Sequence, residues 1–157
     1  MKAYHLTFSQ QLPVSLKEAW DFFSSPLNLA KITPAEMAFT VTSGLKEHQK
    51  MYPGMIITYK ITPLLGIKLN WMTEITQVKE EVYFIDEQRF GPYKFWHHQH
   101  HFSVIAGGVQ MDDILTYGLP FGIFGQTANA LFVENKLEEI FSFRKQKVTE
   151  IFGEINR

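Results

Sequence analysis

The chain has 157 residues, a formal charge of −1 with acids and bases interspersed, and no cysteine. That length buries roughly two-thirds of the unfolded surface in one core, so a single domain spanning 1–157 is expected. The charge balance gives no electrostatic footprint for nucleic acid or an anionic membrane, and the missing thiols exclude disulfides, thiolate metal ligands and cysteine nucleophiles. The opening AYHLTFSQQL alternates, with Tyr4, Leu6, Phe8 and Leu12 on one side, which is the period of a half-buried strand. The same alternation is unlike the apolar core of a secretory signal, and no later stretch is apolar for about 18 residues. The expected address is cytoplasmic, without stable membrane association.

Pro13 stops the first strand, and Ser15 with Glu18 three residues later makes a capping-box pattern ahead of Leu16, Ala19, Trp20 and Phe23 at helical spacing. Pro26 fits the first turn of a second short helix through Lys31, and Pro34 ends that region. From Phe39 to Tyr117 the chain reads as antiparallel strands separated by turns at PGM, LLG, KEE, GPY and AGG. Their inward faces are Met55, Ile57, Tyr59 and Ile61; Ile67, Leu69, Trp71, Thr73 and Ile75; Val82, Phe84, Asp86, Gln88 and Phe90. The last two are Trp96, His98, His100, Phe102 and Val104, then Val109, Met111, Asp113, Leu115 and Tyr117. GLPFGIFG reads as an apolar loop whose three glycines relax the backbone, either a lid over the mouth of a cavity or a segment packed against the insert helices near Leu27, Leu29 and Ile32. A helix is expected from about Thr127 onward, with Val133, Leu137, Ile140, Phe141, Arg144, Val148, Ile151 and Ile155 on one stripe, on the order of 37 Å long.

A curved antiparallel sheet, a two-helix insert after its first strand and a long C-terminal helix across the concave face describe an α+β helix-grip. The chain resembles the START-like superfamily called SRPBCC, which includes the birch-pollen-allergen fold and the polyketide cyclase/dehydratase-like proteins. The matching stretches are QLPVSLKEAWDFFSSPLNLAKITP, PGMIITYKI, NWMTEIT, FIDEQRFGPYKFWHHQHHF and GGVQMDDILTYGLPFG with FSFR. This resemblance implies binding of a hydrophobic or amphipathic molecule such as a lipid, a polyketide or an isoprenoid.

Four of the six histidines fall in FWHHQHHF. Alternation places His98 and His100 inward with Trp96, and His97 and His101 outward. Inward neighbours two residues apart lie ~7 Å from one another, so both imidazoles can reach one ion. A third ligand would have to come from Asp86, Asp113 or Gln88. Three readings stand open: a buried hydrogen-bonded network, a metal site, and acid/base catalysis by His98, His100, Asp86 and Asp113. The network is preferred, with no metal and no cofactor expected. A type I′ turn at Gly107-Gly108 would leave Asp113 diagonal to His100. Desolvation favours neutral inward histidines, although Asp86 or Asp113 nearby pulls the other way. Arg144 on the inward helical stripe is either the counter-ion of the buried carboxylates or a side chain that snorkels to the edge of the sheet.

The expected pocket lining is Tyr59, Leu69, Trp71, Phe84, Gln88, Trp96, His98, His100, Asp113, Leu115, Tyr117, Phe121 and Arg144, an aromatic wall with a few convergent polar groups. Walker, G-x-G-x-x-G, G-x-S-x-G and H-E-x-x-H motifs are all missing. Small-molecule binding is therefore the leading expectation. A cyclase-, dehydratase- or hydrolase-type enzyme is the alternative, and an interaction module using GLPFGIFG a third. Oligomeric state is not legible in the sequence.

Overall fold

The computed structural model of the chain describes residues 2–46, 49–62 and 66–155. Its framework is a seven-stranded antiparallel sheet in the order β1-β7-β6-β5-β4-β3-β2, formed by β1 (Tyr4–Leu12), β2 (Thr40–Val41), β3 (Met55–Ile61), β4 (Leu69–Lys79), β5 (Tyr83–Phe90), β6 (Phe95–Ile105) and β7 (Gly108–Gly118). Between β1 and β2 lie helix α1 (Leu16–Phe23) and two 3-10 segments, Pro26–Ile32 and Ala35–Met37. The C-terminal part runs through α2 (Gly122–Ala128), a π turn (Asn129–Val133) and α3 (Glu134–Phe152). No helix among the described residues is long and apolar enough to cross a membrane.

Ser15 caps α1 as expected, its Oγ accepting a hydrogen bond from the Glu18 N–H at 3.2 Å. Ala19, Trp20 and Phe23 then face the sheet, and Trp20 meets Phe84 and Phe102 edge-on at 6.0 and 5.6 Å. Each fully buried side chain of this size contributes roughly 2–3 kcal/mol. The segment after Pro26 is 3-10 and not α-helical. Only seven residues separate Ser25 from Thr33. Pro26 cannot donate and Pro34 blocks extension, so there is no length over which α-helical bonds would accumulate.

Two shifts of register interrupt the β4–β5 ladder, at Met72/Thr73 and Ile75/Gln77, and such bulges bend the sheet into a trough. Its floor is buried over Met55, Ile57, Ile61, Trp71, Ile75, Phe84, Phe102, Met111 and Leu115. The strand ends outrun the helical cover. Phe90 and Val104, expected inside, are 62% and 71% exposed, Val82 and Ile67 are also exposed, and Ile67 precedes β4. The turn expected at LLG falls on Leu64 and Leu65, outside the described residues.

Ile105 pairs with Gly108, so the β6–β7 loop is Ala106–Gly107, not Gly107–Gly108. Gly107 has φ +83° while Ala106 is not among the positive-φ residues, which rules out type I′. Gly108 is needed for close approach instead. A Cβ there would lie 1.9 Å from the Leu12 carbonyl oxygen, so only glycine lets β7 pass under the end of β1.

The C-terminal helical run begins at Gly122, earlier than the expected Thr127. Gly125 is buried where a Cβ would meet the Pro120 carbonyl oxygen at 2.1 Å, so this glycine serves close approach and not loop flexibility. Along α3, Leu137, Phe141 and Val148 are buried, continuing from Val133 in the π turn. The stripe then follows the four-residue step to Phe152, which packs on Phe22 at 5.1 Å, leaving Ile151 exposed. Gln10 ties β1 to α3 by donating to the Lys145 carbonyl at 2.9 Å and to Thr149 Oγ1 at 3.1 Å.

Candidate functional site

Three neighbouring strands deliver four ionisable side chains to the trough: Asp86 from β5, His98 and His100 from β6, and Asp113 from β7. Register places Asp86 opposite His98, and His100 directly opposite Asp113. The diagonal relation expected for Asp113 is thus corrected, because the turn lies one residue earlier. His98 Nε2 is 3.0 Å from Asp113 Oδ1 and His98 Nδ1 3.4 Å from Asp86 Oδ2. His100 Nε2 is 2.9 Å from that same Asp86 oxygen and His100 Nδ1 2.8 Å from that same Asp113 oxygen, the last contact being off-line for a hydrogen bond. One oxygen of each carboxylate therefore bridges two imidazoles whose ring centroids are 3.9 Å apart. Carboxylate and imidazole alternate around a closed quartet.

The quartet sets its own protonation. Burial pushes the Asp86 and Asp113 carboxyls up, but hydrogen bonds from His100 and His98 and the charges on those rings outweigh it, holding both well below the usual carboxylate range. For His98, burial works toward the neutral ring, yet hydrogen bonds to Asp113 and Asp86 and their charges raise it to about 9. The expectation of a neutral His98 fails because the ring faces two carboxylates, one at each nitrogen. On the other face, His97 Nδ1 lies 2.9 Å from Glu87 and His101 Nε2 lies 3.0 Å from Gln99, as befits residues of the solvated side.

Arg144 is not the counter-ion of this cluster. No carboxylate lies within 4.0 Å of it among the described residues, and its guanidinium sits over the Phe141 ring at 4.9 Å. Gln88 also stands apart from the quartet. It clasps the turn after β5, donating to the Tyr93 carbonyl at 2.6 Å and accepting from the Tyr93 N–H at 3.2 Å.

Between the trough and the helices are two adjoining cavities of about 110 and 100 Å³, sharing Leu29, Tyr59, Trp96, His98 and Arg144 as walls. The first touches Asp86, His98, His100 and Phe84; the second is bounded by Trp71, Tyr93 and Phe141. Of the expected lining, Tyr59, Trp71, Phe84, Trp96, His98, His100 and Arg144 border this space. Leu115 and Tyr117 are wholly buried beneath it, Tyr117 donating to Asn129 Oδ1 at 2.7 Å, so they fill the core and do not line a cavity. Asp113 borders a crevice between β1 and α3, while Leu69 and Phe121 border a separate hollow of about 270 Å³ that shares Tyr93 with the second cavity. Gln88 borders none of these spaces. Sequence reasoning missed Phe22, Leu29 and Met51 as lining; Phe22 lies off the main α1 stripe, and the other two sit where no periodicity marks a face.

Asp86, His98 and His100 present ligand atoms all within 4.8 Å of one another, a donor set that suits a divalent ion. Occupation would require His98 to give up its proton and the rings to abandon carboxylate contacts, so an ion competes with the hydrogen-bonded network.

No protein-family model and no curated protein matches the chain. Among solved structures, protein Ms6760 from Mycobacterium smegmatis aligns with a TM-score of 0.65 at 17% identity, over 96% of this chain and 98% of that one. Protein CV1439 from Chromobacterium violaceum aligns with 0.69 at 14%, over 95% and 96%. For Ara h 8.0201 the values are 0.58 and 13%, over 95% and 99%. Identities this low show the fold alone: the chain has an α+β helix-grip fold, shared over nearly its full length with Ara h 8.0201.

Proposed function

We propose that the protein binds a small apolar or amphipathic molecule between its sheet and its C-terminal helix. The observation that carries this reading is the adjoining pair of cavities with aromatic walls and a convergent polar cluster at one end. An apolar cavity of roughly 150 Å³ admits benzene, so the space favours a compact one- or two-ring body, or a short isoprenoid, over a complete lipid. A longer ligand would pass Tyr93 into the hollow beside Leu69 and Phe121. Trp71 and Trp96 border the second cavity, so their fluorescence reports occupancy directly. A panel of one- and two-ring hydrophobes is expected to change that emission saturably at one site per chain. A ligand at a hundred times its Kd is expected to add about 2.7 kcal/mol of stability. Native mass spectrometry of protein purified from its own host identifies the natural occupant. Absence of any saturable change, stabilisation or co-purifying molecule would sink the reading.

A second reading rests on His98, His100 and Asp86 reaching the wall of the first cavity, where an imidazolium can donate a proton to a bound molecule. Chemical conversion of a bound ligand, lost in His98→Asn while affinity persists, would favour a cyclase-, dehydratase- or hydrolase-type enzyme over a carrier.

A further inference from the structure

The polar residues bordering the second cavity are Thr33, Tyr59, Trp71, Tyr93, Trp96, His98 and Arg144, with no Asp, Glu, Asn or Gln. Most of these groups are already engaged: Trp96 Nε1 donates to Asp86 at 3.3 Å, Tyr59 pairs with Thr73 at 2.9 Å, and His98 belongs to the quartet. Two buried nitrogen donors are left over. Trp71 Nε1 and Arg144 Nε are both buried and have no hydrogen-bond partner. Leaving such a group unpaired costs about 1–3 kcal/mol, and more for a charged one. Arg144 also has no carboxylate within 4.0 Å among the described residues, because the two nearby aspartates are engaged by imidazoles. A cation and an indole N–H thus share one aromatic-walled cavity that supplies neither a carboxylate nor an amide acceptor.

We infer that the ligand is an anion, a compact ring-bearing carboxylic acid whose carboxylate accepts from Arg144 and Trp71 while its body lies among Tyr59, Trp96 and Phe141. The inference rests on the binding reading above and narrows it. An amine would meet the like charge of a guanidinium that has no carboxylate within 4.0 Å among the described residues, and an alcohol or amide would supply an acceptor without charge. Only the acid provides both the acceptor and the counter-charge, and guanidinium–carboxylate pairing is strengthened in a poorly solvated site.

The test compares four probes of one body, 3-phenylpropionate with its primary amide, alcohol and amine, and repeats the acid and amide with a naphthyl body, by titration calorimetry on the full chain. The acid is expected to bind at least about tenfold tighter than the amide or alcohol, as a charged hydrogen bond in place of a neutral one implies. The amine should bind weakest. In Arg144→Gln the preference for the acid should vanish, while Arg144→Lys should keep part of it and control for folding. Trp71→Phe should weaken the acid more than the alcohol. Equal affinities for acid, amide and alcohol, or a preference that survives in Arg144→Gln, would overturn the anion while leaving the cavity as a binding site. Failure of every probe with both bodies would overturn the binding reading and the anion with it.

Discussion

Raising pH through the alkaline range should weaken the quartet by a defined amount. His98 has an ordinary value of 6.5 and is raised to about 9 in the folded protein. A group raised on folding stabilises fully below its unfolded value and loses that contribution as pH climbs through the folded value. The loss therefore falls between about pH 6.5 and 9, at about 1.4 kcal/mol per pH unit, or on the order of 3 kcal/mol in all. The two aspartates act in the opposite sense. Their carboxyls are depressed on folding, so their contribution is present above about pH 4 and fades as acid protonates them. Stability should form a plateau between about pH 4 and 6.5 and decline on either side. Urea titrations at half-unit intervals from pH 4 to 9.5 would show this as a falling midpoint with a constant slope. In His98→Asn the alkaline decline should flatten, on a baseline lowered by roughly 3 kcal/mol or more because two buried carboxylates lose a partner. Adding Asp113→Asn should recover part of that loss, since it removes one of the stranded charges. A wild-type midpoint that is level or rising from pH 6.5 to 9 would refute the bridging arrangement, as would a nitrogen NMR spectrum showing neutral His98 at pH 7.5.

Elemental analysis should find well below one equivalent of transition metal, with chelator leaving the thermal midpoint unchanged; a stoichiometric metal that disappears in His100→Ala would show that the quartet gives way to an ion. Gly108→Ala should cost about 2 kcal/mol or more by thermal unfolding, since its Cβ meets the Leu12 backbone, whereas Gly107→Ala meets only an ordinary contact with Ile155 and should cost about 1 kcal/mol for its positive φ. Phe121 is 81% exposed at φ +66°, so Phe121→Ala should change stability by less than about 0.5 kcal/mol, and a loss near 3 kcal/mol would mean it packs as core. Hydrogen exchange at residues 119–125 should exceed that of β7 and slow on adding a ligand that occupies the hollow beside Phe121; equal protection without ligand would exclude a gate there.

Alternation alone separated the histidines correctly, because the period of a strand is fixed at two residues whatever its neighbours do. His98 and His100 face the trough, and His97 and His101 do not. The cap at Ser15 was equally legible, being a local bond between residues three apart. Pairing across strands was less so. The β6–β7 register turned on whether Ala106 or Gly108 joined Gly107 in the loop, and the decisive fact is the passage of Gly108 beneath Leu12, nearly a hundred residues distant. GLPFGIFG misled for the same reason. Its glycines read as flexibility, whereas Gly125 permits contact with Pro120 inside a helical run.

Arg144 shows where sequence reading stops. Its place on the helical stripe was visible, and that place allowed it either to pair with the buried aspartates or to snorkel to the edge of the sheet. Register then brought Asp113 directly opposite His100 and gave each aspartate two imidazoles, which removed the need for the arginine. A sequence displays a charge but not whether that charge is already answered, because the answer depends on pairings set elsewhere in the chain. Once the quartet closes on itself, the guanidinium that shares a cavity with Trp71 keeps its contact with the Phe141 ring, but its buried Nε is left without a hydrogen-bond partner. An unpaired buried donor costs stability, and a carboxylate brought by the proposed ligand would remove that cost.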